Sequence, residues 1–228
     1  MKILNAYCGI GGNRKLWKGH QITAIENNPE IAKIYQDFFP KDKIIVTDAH
    51  QYLLDHFKEF DFIWSSPPCP SHSRLVFSNE SRMYNINHMK YPDMALYQEI
   101  IFLQTFFKGI YVVENVKPYY EPLVPAQCSG RHLFWCNFRI TDLGKKKEIS
   151  ITNCNGARRR IWKEHIQSLQ EYHGFDLSKY KQIGKHAHYK LLANCVNPKL
   201  GLHIFNCAFK EKQHTLAQMN PKVIINDE

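Results

Sequence analysis

Short apolar runs alternate with helix-like segments from residue 2 to residue 116, and this alternation constrains the fold more than any other feature. The runs that favour strands cover residues 2–6, 22–25, 43–46, 61–65 and 110–113, and helical spacing covers 29–39, 51–60 and 94–107. Strands that are separated by helices pair in parallel, and the helices then cover both faces of the sheet. The sequence therefore predicts an α/β fold with a mostly parallel, doubly wound sheet.

The stretch 61–69 carries the candidate nucleophile, Cys69. Its apolar first half predicts a buried strand, and Pro67 and Pro68 end that strand because proline has no N–H to donate to a sheet ladder. Ligands collect at the carboxyl ends of strands in open α/β sheets. Most free cysteines are small buried apolar groups, but this rigid support at a strand end favours a catalytic thiol.

A second set of residues favours a site for a nucleoside cofactor. The glycine-rich turn 7–12 follows the first strand, Glu26 ends the second and Asp48 follows the third. Glycine lets the backbone approach a ligand closely, and an acid at the tip of the second strand suits ribose hydroxyls. Each acid alone is more often a helix cap or a solvated loop residue, but the two together after a glycine turn favour the cofactor site. Arg14 stands where a dinucleotide fingerprint needs a third glycine, which counts against an NAD-dependent dehydrogenase.

Residues 70–93 form a long polar stretch that starts beside Cys69 and contains Arg74 and Arg82. A loop of this length in a compact domain is usually functional or disordered, and we expect this one to close over a polyanion. Glu114 follows the strand 110–113, so Glu26, Cys69 and Glu114 are predicted at strand ends on one rim. Residues 124–131 are predicted as a loop, 132–140 as a strand, 161–172 as a helix and 189–205 as a final element interrupted at 194–198.

The charge of the chain favours a polyanionic partner. The net charge is +9 with a pI near 9.1, and the segment between Arg139 and Lys163 has eight basic residues against two acids. Such a concentration indicates contact with phosphates. Seven cysteines without a C-x-x-C pair or zinc-like spacing predict a reducing compartment and no metal site. No run is long enough to span a bilayer and no signal peptide is evident, so a cytoplasmic location without membrane contact is expected.

The ordered motifs resemble the cytosine-C5 DNA methyltransferases, in particular the small phage or bacterial type. The similar stretches are 7–12, 24–26, 47–48, 66–69 with Ser73, 114–116, 127–131, 168–170 with 174–175, and 193–196. Three features depart from the family pattern: Pro70 replaces a glutamine, Ser129 replaces the first of two arginines, and the segment between Phe138 and Ile161 is far shorter than the usual target-recognition domain.

The resemblance implies a Rossmann-like methyltransferase fold with a small basic recognition insert, and S-adenosylmethionine as cofactor with S-adenosylhomocysteine as product. The residues that it assigns to the cofactor are Tyr7, Cys8, Gly9, Ile10, Gly11, Gly12, Glu26, Asn27, Asp48, Ala49, Pro67, Asn194 and Val196. The residues expected to contact DNA are Ser71, Ser73, Arg74, Arg82, Lys145, Lys146, Lys147, Arg158 and Arg159.

The implied chemistry is transfer of a methyl group to C5 of a flipped-out cytosine. Cys69 is expected to attack C6 as a thiolate, so its pKa must be lowered or its proton removed. Glu114 is expected to bond the N3/N4 edge of the ring, in its protonated form where it stabilises arriving charge, and Arg131 to hold O2.

The predicted division of the chain is a catalytic and cofactor-binding domain over 1–138, a reduced recognition region over 139–186, a segment over 187–210 that packs back on the catalytic domain, and a polar tail over 211–228. The expected substrate is double-stranded DNA in a bacterial cytoplasm, either at the nucleoid or in a phage-infected host. A cognate restriction endonuclease or a second chain that supplies recognition is the further partner. The alternatives are an RNA cytosine-C5 methyltransferase, although its Cys-Phe-Thr signature is missing, and a non-catalytic nucleic-acid-binding subunit.

Overall fold

The computed structural model describes residues 1–74, 91–141, 143 and 159–210, with the backbone alone at 159–162 and 184–185. The strands are β1 (Lys2–Ala6), β2 (Gln21–Glu26), β3 (Lys43–Val46), β4 (Phe62–Ser65), β5 (Ile110–Val116), β6 (Gln127–Ser129) and β7 (His132–Cys136). The helices are α1 (Pro29–Phe38), α2 (Ala49–His56), α3 (Ala95–Phe106), α4 (Arg159–His173), α5 (Gly184–Ala193) and α6 (Pro198–Cys207). None of these helices has the length and apolar character needed to cross a membrane.

The described strands form one seven-stranded sheet in the order β3-β2-β1-β4-β5-β7-β6. The first five strands of the chain pair in parallel, and β7 and β6 add two antiparallel strands at one edge. Helices lie on both faces, so the prediction of a mostly parallel, doubly wound α/β fold is confirmed.

Predictions at the antiparallel edge were wrong, whereas the predicted interruption at 194–198 falls between two helices. Residues 127–129 form β6 instead of a loop, and β7 ends at Cys136. Glu114 lies inside β5 instead of after it, because pairing with β7 extends that strand to Val116. The final element is two helices, since Asn197 and Pro198 start α6 as a separate helix, with the Asn197 side chain capping it.

Successive residues of the central strands face opposite sides of the sheet and build two cores. Leu4, Ile63 and Val113 face a cluster that contains α2 and α3. Ile3, Phe62 and their neighbours face the opposite cluster, in which α6 contributes a buried phenylalanine and isoleucine. Burial on both faces explains why these strands are continuously apolar instead of alternating.

The glycine-rich turn after β1 packs tightly against the segment between α5 and α6. A Cβ atom on Gly12 would lie 2.2 Å from Cys195 Sγ and 2.3 Å from the carbonyl oxygen of Val196. Gly12 is therefore required by a close approach of two chain segments, and the turn and residues 195–196 are held in one place.

Replacing Gly12 with alanine should lower the free energy of unfolding by about 1–3 kcal/mol, because the added methyl group overpacks a contact that involves backbone atoms. Urea unfolding of both proteins measures this difference. The matched control is Gly9→Asn: Gly9 has φ +52°, nothing lies within 4 Å of a Cβ there, and asparagine tolerates positive φ. An equal loss in both variants would contradict the steric explanation.

Candidate active site

The turn after β1 and the end of β2 meet at the carboxyl edge of the sheet. Tyr7, Gly9 and Gly11 have positive φ angles of 56°, 52° and 82°, which curl the backbone beside Glu26. The N–H of Gly9 donates to Glu26 Oε2 at 3.1 Å and the N–H of Asn28 donates to Oε1 at 3.0 Å. Glu26 is 9% exposed. The two predicted cofactor elements are thus brought together.

The glycine turn and Glu26 suit a nucleoside cofactor. Each Glu26 oxygen accepts one backbone N–H, and a carboxylate oxygen has capacity for two hydrogen bonds. Glu26 therefore keeps acceptor capacity on both oxygens for hydroxyl donors such as those of a ribose. Residues 194–196 flank the same turn through the contact at Gly12.

The other predicted cofactor residues lie at the same edge in different settings. Asp48 caps α2, with Oδ1 accepting from the N–H of Gln51 at 2.8 Å, so the helix-cap interpretation of this acid is correct whether or not it also contacts a cofactor. Asn27 is exposed, whereas Ala49 and Pro67 are buried.

A buried acid that sequence reasoning missed lies beneath the turn. Glu99 of α3 is fully buried and accepts hydrogen bonds from the hydroxyls of Tyr7 and Ser65, each at 2.6 Å. His50 Nδ1 lies 2.9 Å from the same carboxylate. Burial, and then Glu99, raise the pKa of the Tyr7 hydroxyl, so Tyr7 stays a hydrogen-bond donor. Glu99 is the single charged residue of an apolar helix. A lone acid in such a helix could have been identified from the sequence as a candidate functional residue.

The turn that carries Cys69 is held against β5. Asn115 Nδ2 donates to the carbonyl oxygen of Pro67 at 3.2 Å. The Cys69 carbonyl oxygen accepts from the N–H groups of His72 and Ser73, each at 2.9 Å. Asn115 was assigned to a motif but given no role, and it anchors the Pro-Pro support across the sheet. Cys69 itself is partly exposed.

The resting thiol of Cys69 is protonated. Burial raises its pKa, the nearby Glu114 carboxylate raises it further, and Arg131 lowers it without offsetting the first two. Of the two expected routes to a thiolate, a lowered pKa is therefore wrong for the ligand-free protein.

Glu114 and Arg131 lie on either side of a residue that was not predicted, His132. His132 Nδ1 is 2.5 Å from Glu114 Oε1, and Arg131 Nε donates to His132 Nε2 at 3.1 Å. Burial on its own would raise the pKa of Glu114, but His132, Ser66 and Arg131 together lower it. These neighbours favour the ionised form of Glu114 in the ligand-free protein.

Three of the residues expected to contact DNA lie next to the Cys69 turn. Ser71 Oγ accepts from the N–H of Asp93 at 3.2 Å, Ser73 bridges to Pro118, and the exposed Arg74 donates from Nε to the Pro118 carbonyl oxygen at 2.7 Å. Arg159 opens α4, and its side chain is not described. The remaining predicted contacts lie outside the described residues: Arg82, Lys145, Lys146, Lys147 and Arg158.

Across the described ranges, no group of three or more His, Cys, Asp and Glu side chains is arranged to hold a metal ion.

Comparison with known proteins identifies a matching family. The family model described as C-5 cytosine-specific DNA methylase matches residues 1–117. None of the curated proteins matches the chain significantly.

Three solved structures resemble parts of the chain. A DNMT2 mutant from Spodoptera frugiperda is 25% identical over 51% of this chain and 35% of that chain, with a TM-score of 0.36. The putative methyltransferase yhhF from Escherichia coli is 12% identical over 59% of this chain and 73% of its own, with a TM-score of 0.34. A TehB-like SAM-dependent methyltransferase from Corynebacterium glutamicum is 19% identical over 50% and 54%, with a TM-score of 0.32.

A buried histidine beside Arg131 makes a testable contribution to acid stability. His173, at the end of α4, is 3% exposed, and burial followed by the charges of Arg131 and Lys15 lowers its pKa to about 4. The unfolded chain binds a proton here below its ordinary pKa of about 6.5, whereas the folded protein does not until about pH 4. Stability from this residue is therefore complete above that range and is lost as the pH falls through it.

The free energy of unfolding should fall by about 3 kcal/mol between roughly pH 6.5 and pH 4 because of His173 alone. In His173→Leu, which cannot titrate, this part of the pH dependence should disappear. Chemical unfolding at several pH values measures it, with His56→Leu, at an exposed position, as the control. If the free energy of unfolding of His173→Leu depended on pH as strongly as that of the wild type, the contribution assigned to His173 would be contradicted.

Proposed function

The chain belongs to the C-5 cytosine-specific DNA methylase family, and we propose that it methylates C5 of cytosine in double-stranded DNA through a covalent bond between Cys69 and C6. The observation that carries the proposal is that Cys69 lies near both Glu114 and Arg131, close enough for both charges to act on its thiol. A thiol, a carboxylate and a guanidinium that lie close together can act on one polar ring. The thiol supplies the nucleophile, and the other two groups hold opposite edges of the ring.

Cys69 performs the covalent step. C5 of cytosine is a poor nucleophile, and bond formation between the Cys69 sulfur and C6 pushes the C5–C6 double-bond electrons toward C5. The thiol proton is lost as that bond forms. After methylation, loss of the proton from C5 restores the double bond and expels Cys69 as a thiolate.

Glu114 and Arg131 orient the ring and stabilise the charge that develops on it. The Glu114 carboxylate accepts a hydrogen bond from the N4 amino group at the N3/N4 edge, and Arg131 donates to O2. Arg131 is fixed for this task because its Nη2 donates to the Ala193 carbonyl oxygen at 3.2 Å and its Nε to His132.

The glycine turn, Glu26 and the 194–196 segment would hold S-adenosylmethionine. When bound, this cofactor supplies the methyl group as the electrophilic substituent of a sulfonium. The fit rests on the acceptor capacity that Glu26 keeps and on the side-chain-free backbone of the turn.

DNA is favoured as the substrate by the charge of the chain and by the surroundings of Cys69. A partly buried thiol cannot reach C6 inside a stacked duplex, so the target base must leave the helix. Beside the turn, a cleft of about 520 Å³ is lined by the cations Arg74 and Lys117, which suit a phosphate. The same chemistry would serve an RNA cytosine, so the two nucleic acids have to be compared directly. A bacterial cytoplasm and a restriction-modification partner complete the proposal.

Cys69→Ser should abolish methyl transfer and leave cofactor affinity close to that of the wild type, because the cofactor residues lie on other segments. Transfer of a labelled methyl group to duplex DNA and to tRNA, followed in parallel with calorimetry, measures both quantities. The matched control is Cys128→Ser, which changes an exposed cysteine and should retain full activity. Substantial turnover by Cys69→Ser would remove the thiol from the mechanism, and transfer to tRNA alone would overturn the choice of DNA.

Glu26→Ala should weaken S-adenosylmethionine binding by about 1–3 kcal/mol, the range for losing a partner of buried polar groups. Glu26→Gln keeps one acceptor oxygen and should lose less. The control Glu30→Ala removes an exposed acid from the first turn of α1 and should bind normally. Unchanged affinity of Glu26→Ala in calorimetry would mean that the ribose is held elsewhere.

A further inference from the structure

We propose that His132 is a positioning residue for this reaction: oriented by Arg131, it donates the hydrogen bond that holds the Glu114 carboxylate in place against the N3/N4 edge of the target cytosine. This inference rests on the proposed function and assigns a role to a residue outside the motifs from which that function was inferred.

The fold brings His132 to Glu114 through strand pairing. In the antiparallel pair β5–β7, Glu114 lies opposite Phe134 and Val116 lies opposite His132. Glu114 and His132 are therefore diagonal neighbours on the same face, where side chains make contact. Both residues are 6% exposed, so their hydrogen bond is shielded from water and stronger than a surface bond.

The contact with Arg131 determines which ring nitrogen carries the hydrogen. A guanidinium has only donors, so His132 Nε2 must accept the bond from Arg131 Nε. Nδ1 faces Glu114 Oε1 at 2.5 Å and is the ring nitrogen left to donate. Arg131 thereby selects the ring orientation in which Nδ1–H donates to the carboxylate.

Three of the groups that face Glu114 lower its pKa. They are His132 and Arg131 from the β6–β7 side, and Ser66 from the segment after β4. Cys69 from the same segment also faces Glu114 and does not contribute to this lowering. Ser66 Oγ accepts from Trp64 Nε1 at 2.9 Å, so its own hydrogen is free to donate to Glu114. Without these donors burial would favour the protonated carboxyl.

An anionic Glu114 changes how cytosine is held. A carboxylate accepts from the N4 amino group but has no hydrogen to offer to N3, and two facing lone pairs repel. The favourable complex takes one proton from solvent onto N3, which then donates to Glu114. A protonated N3 withdraws electrons from C6 and assists addition of Cys69, and the proton returns to solvent when Cys69 is expelled.

Three substitutions at His132 test this role. Asparagine carries its amide nitrogen at the position of Nδ1 and keeps the donor to Glu114. Leucine has no donor, and glutamine carries its amide nitrogen near the position of Nε2, away from Oε1. The control is His188→Leu, which removes a buried histidine that bonds the Tyr180 carbonyl oxygen. Two rates are measured from about pH 6 to about pH 9: single-turnover methylation of duplex DNA, and exchange of the C5 hydrogen with solvent in the absence of methyl donor.

We expect His132→Leu and His132→Gln to lose roughly 10- to 150-fold in both rates near neutral pH, the range for losing a hydrogen bond to a charged group. Both rates should fall together, because both pass through addition of Cys69 to C6. His132→Asn should stay within a few-fold of wild type, and His188→Leu should show no deficit.

His132→Asn as impaired as His132→Gln would overturn the inference and leave the proposed function intact. If His132→Leu does not fold, the comparison of His132→Asn with His132→Gln still tests the role of His132, since both variants keep a polar side chain. A wild-type protein that neither methylates cytosine nor exchanges its C5 hydrogen would overturn the proposed function and the inference with it.

Discussion

Burying a carboxylate is costly unless donors from the protein replace water, and the site of this protein depends on burying three at one edge of a sheet. Glu26 is held by backbone N–H groups of the glycine turn and of α1. Glu99 is held by two hydroxyls and faces His50, and Glu114 is held by His132. Each acid is on a different element from its donors, so satisfying the carboxylates also fixes the elements relative to one another.

This arrangement disfavours the ionised, reactive form of the Cys69 thiol in the free protein. The anionic Glu114 that is suited to hold a base also raises the pKa of Cys69, so the free protein keeps a protonated and weakly reactive thiol. A positive charge arriving on the ring would offset Glu114 and favour the thiolate. In the proposed mechanism, one carboxylate would thereby couple binding of the base to activation of Cys69.

The C-terminal half completes the site by packing against it. The segment that joins α5 to α6 reaches the glycine turn at Gly12 and supplies the Ala193 carbonyl oxygen that holds Arg131. Below the turn, aromatic residues of 175–180 pack with those of α1. The site therefore depends on residues far apart in the chain, and deleting the C-terminal helices would loosen both the cofactor turn and Arg131.

The sequence by itself determined the α/β class and the five parallel strands, because apolar periodicity, prolines and glycines act locally. Its resemblance to the cytosine-C5 methyltransferases supplied the candidate roles of Cys69, Glu114 and Arg131. The sequence did not reveal β6, the extension of β5 through Glu114, or His132 as the partner of that acid, because these follow from antiparallel pairing between distant segments. The protonation states of Cys69 and Glu114 were likewise decided by the tertiary structure alone. Burial and neighbouring charge set a pKa, and neither exists until the chain has folded.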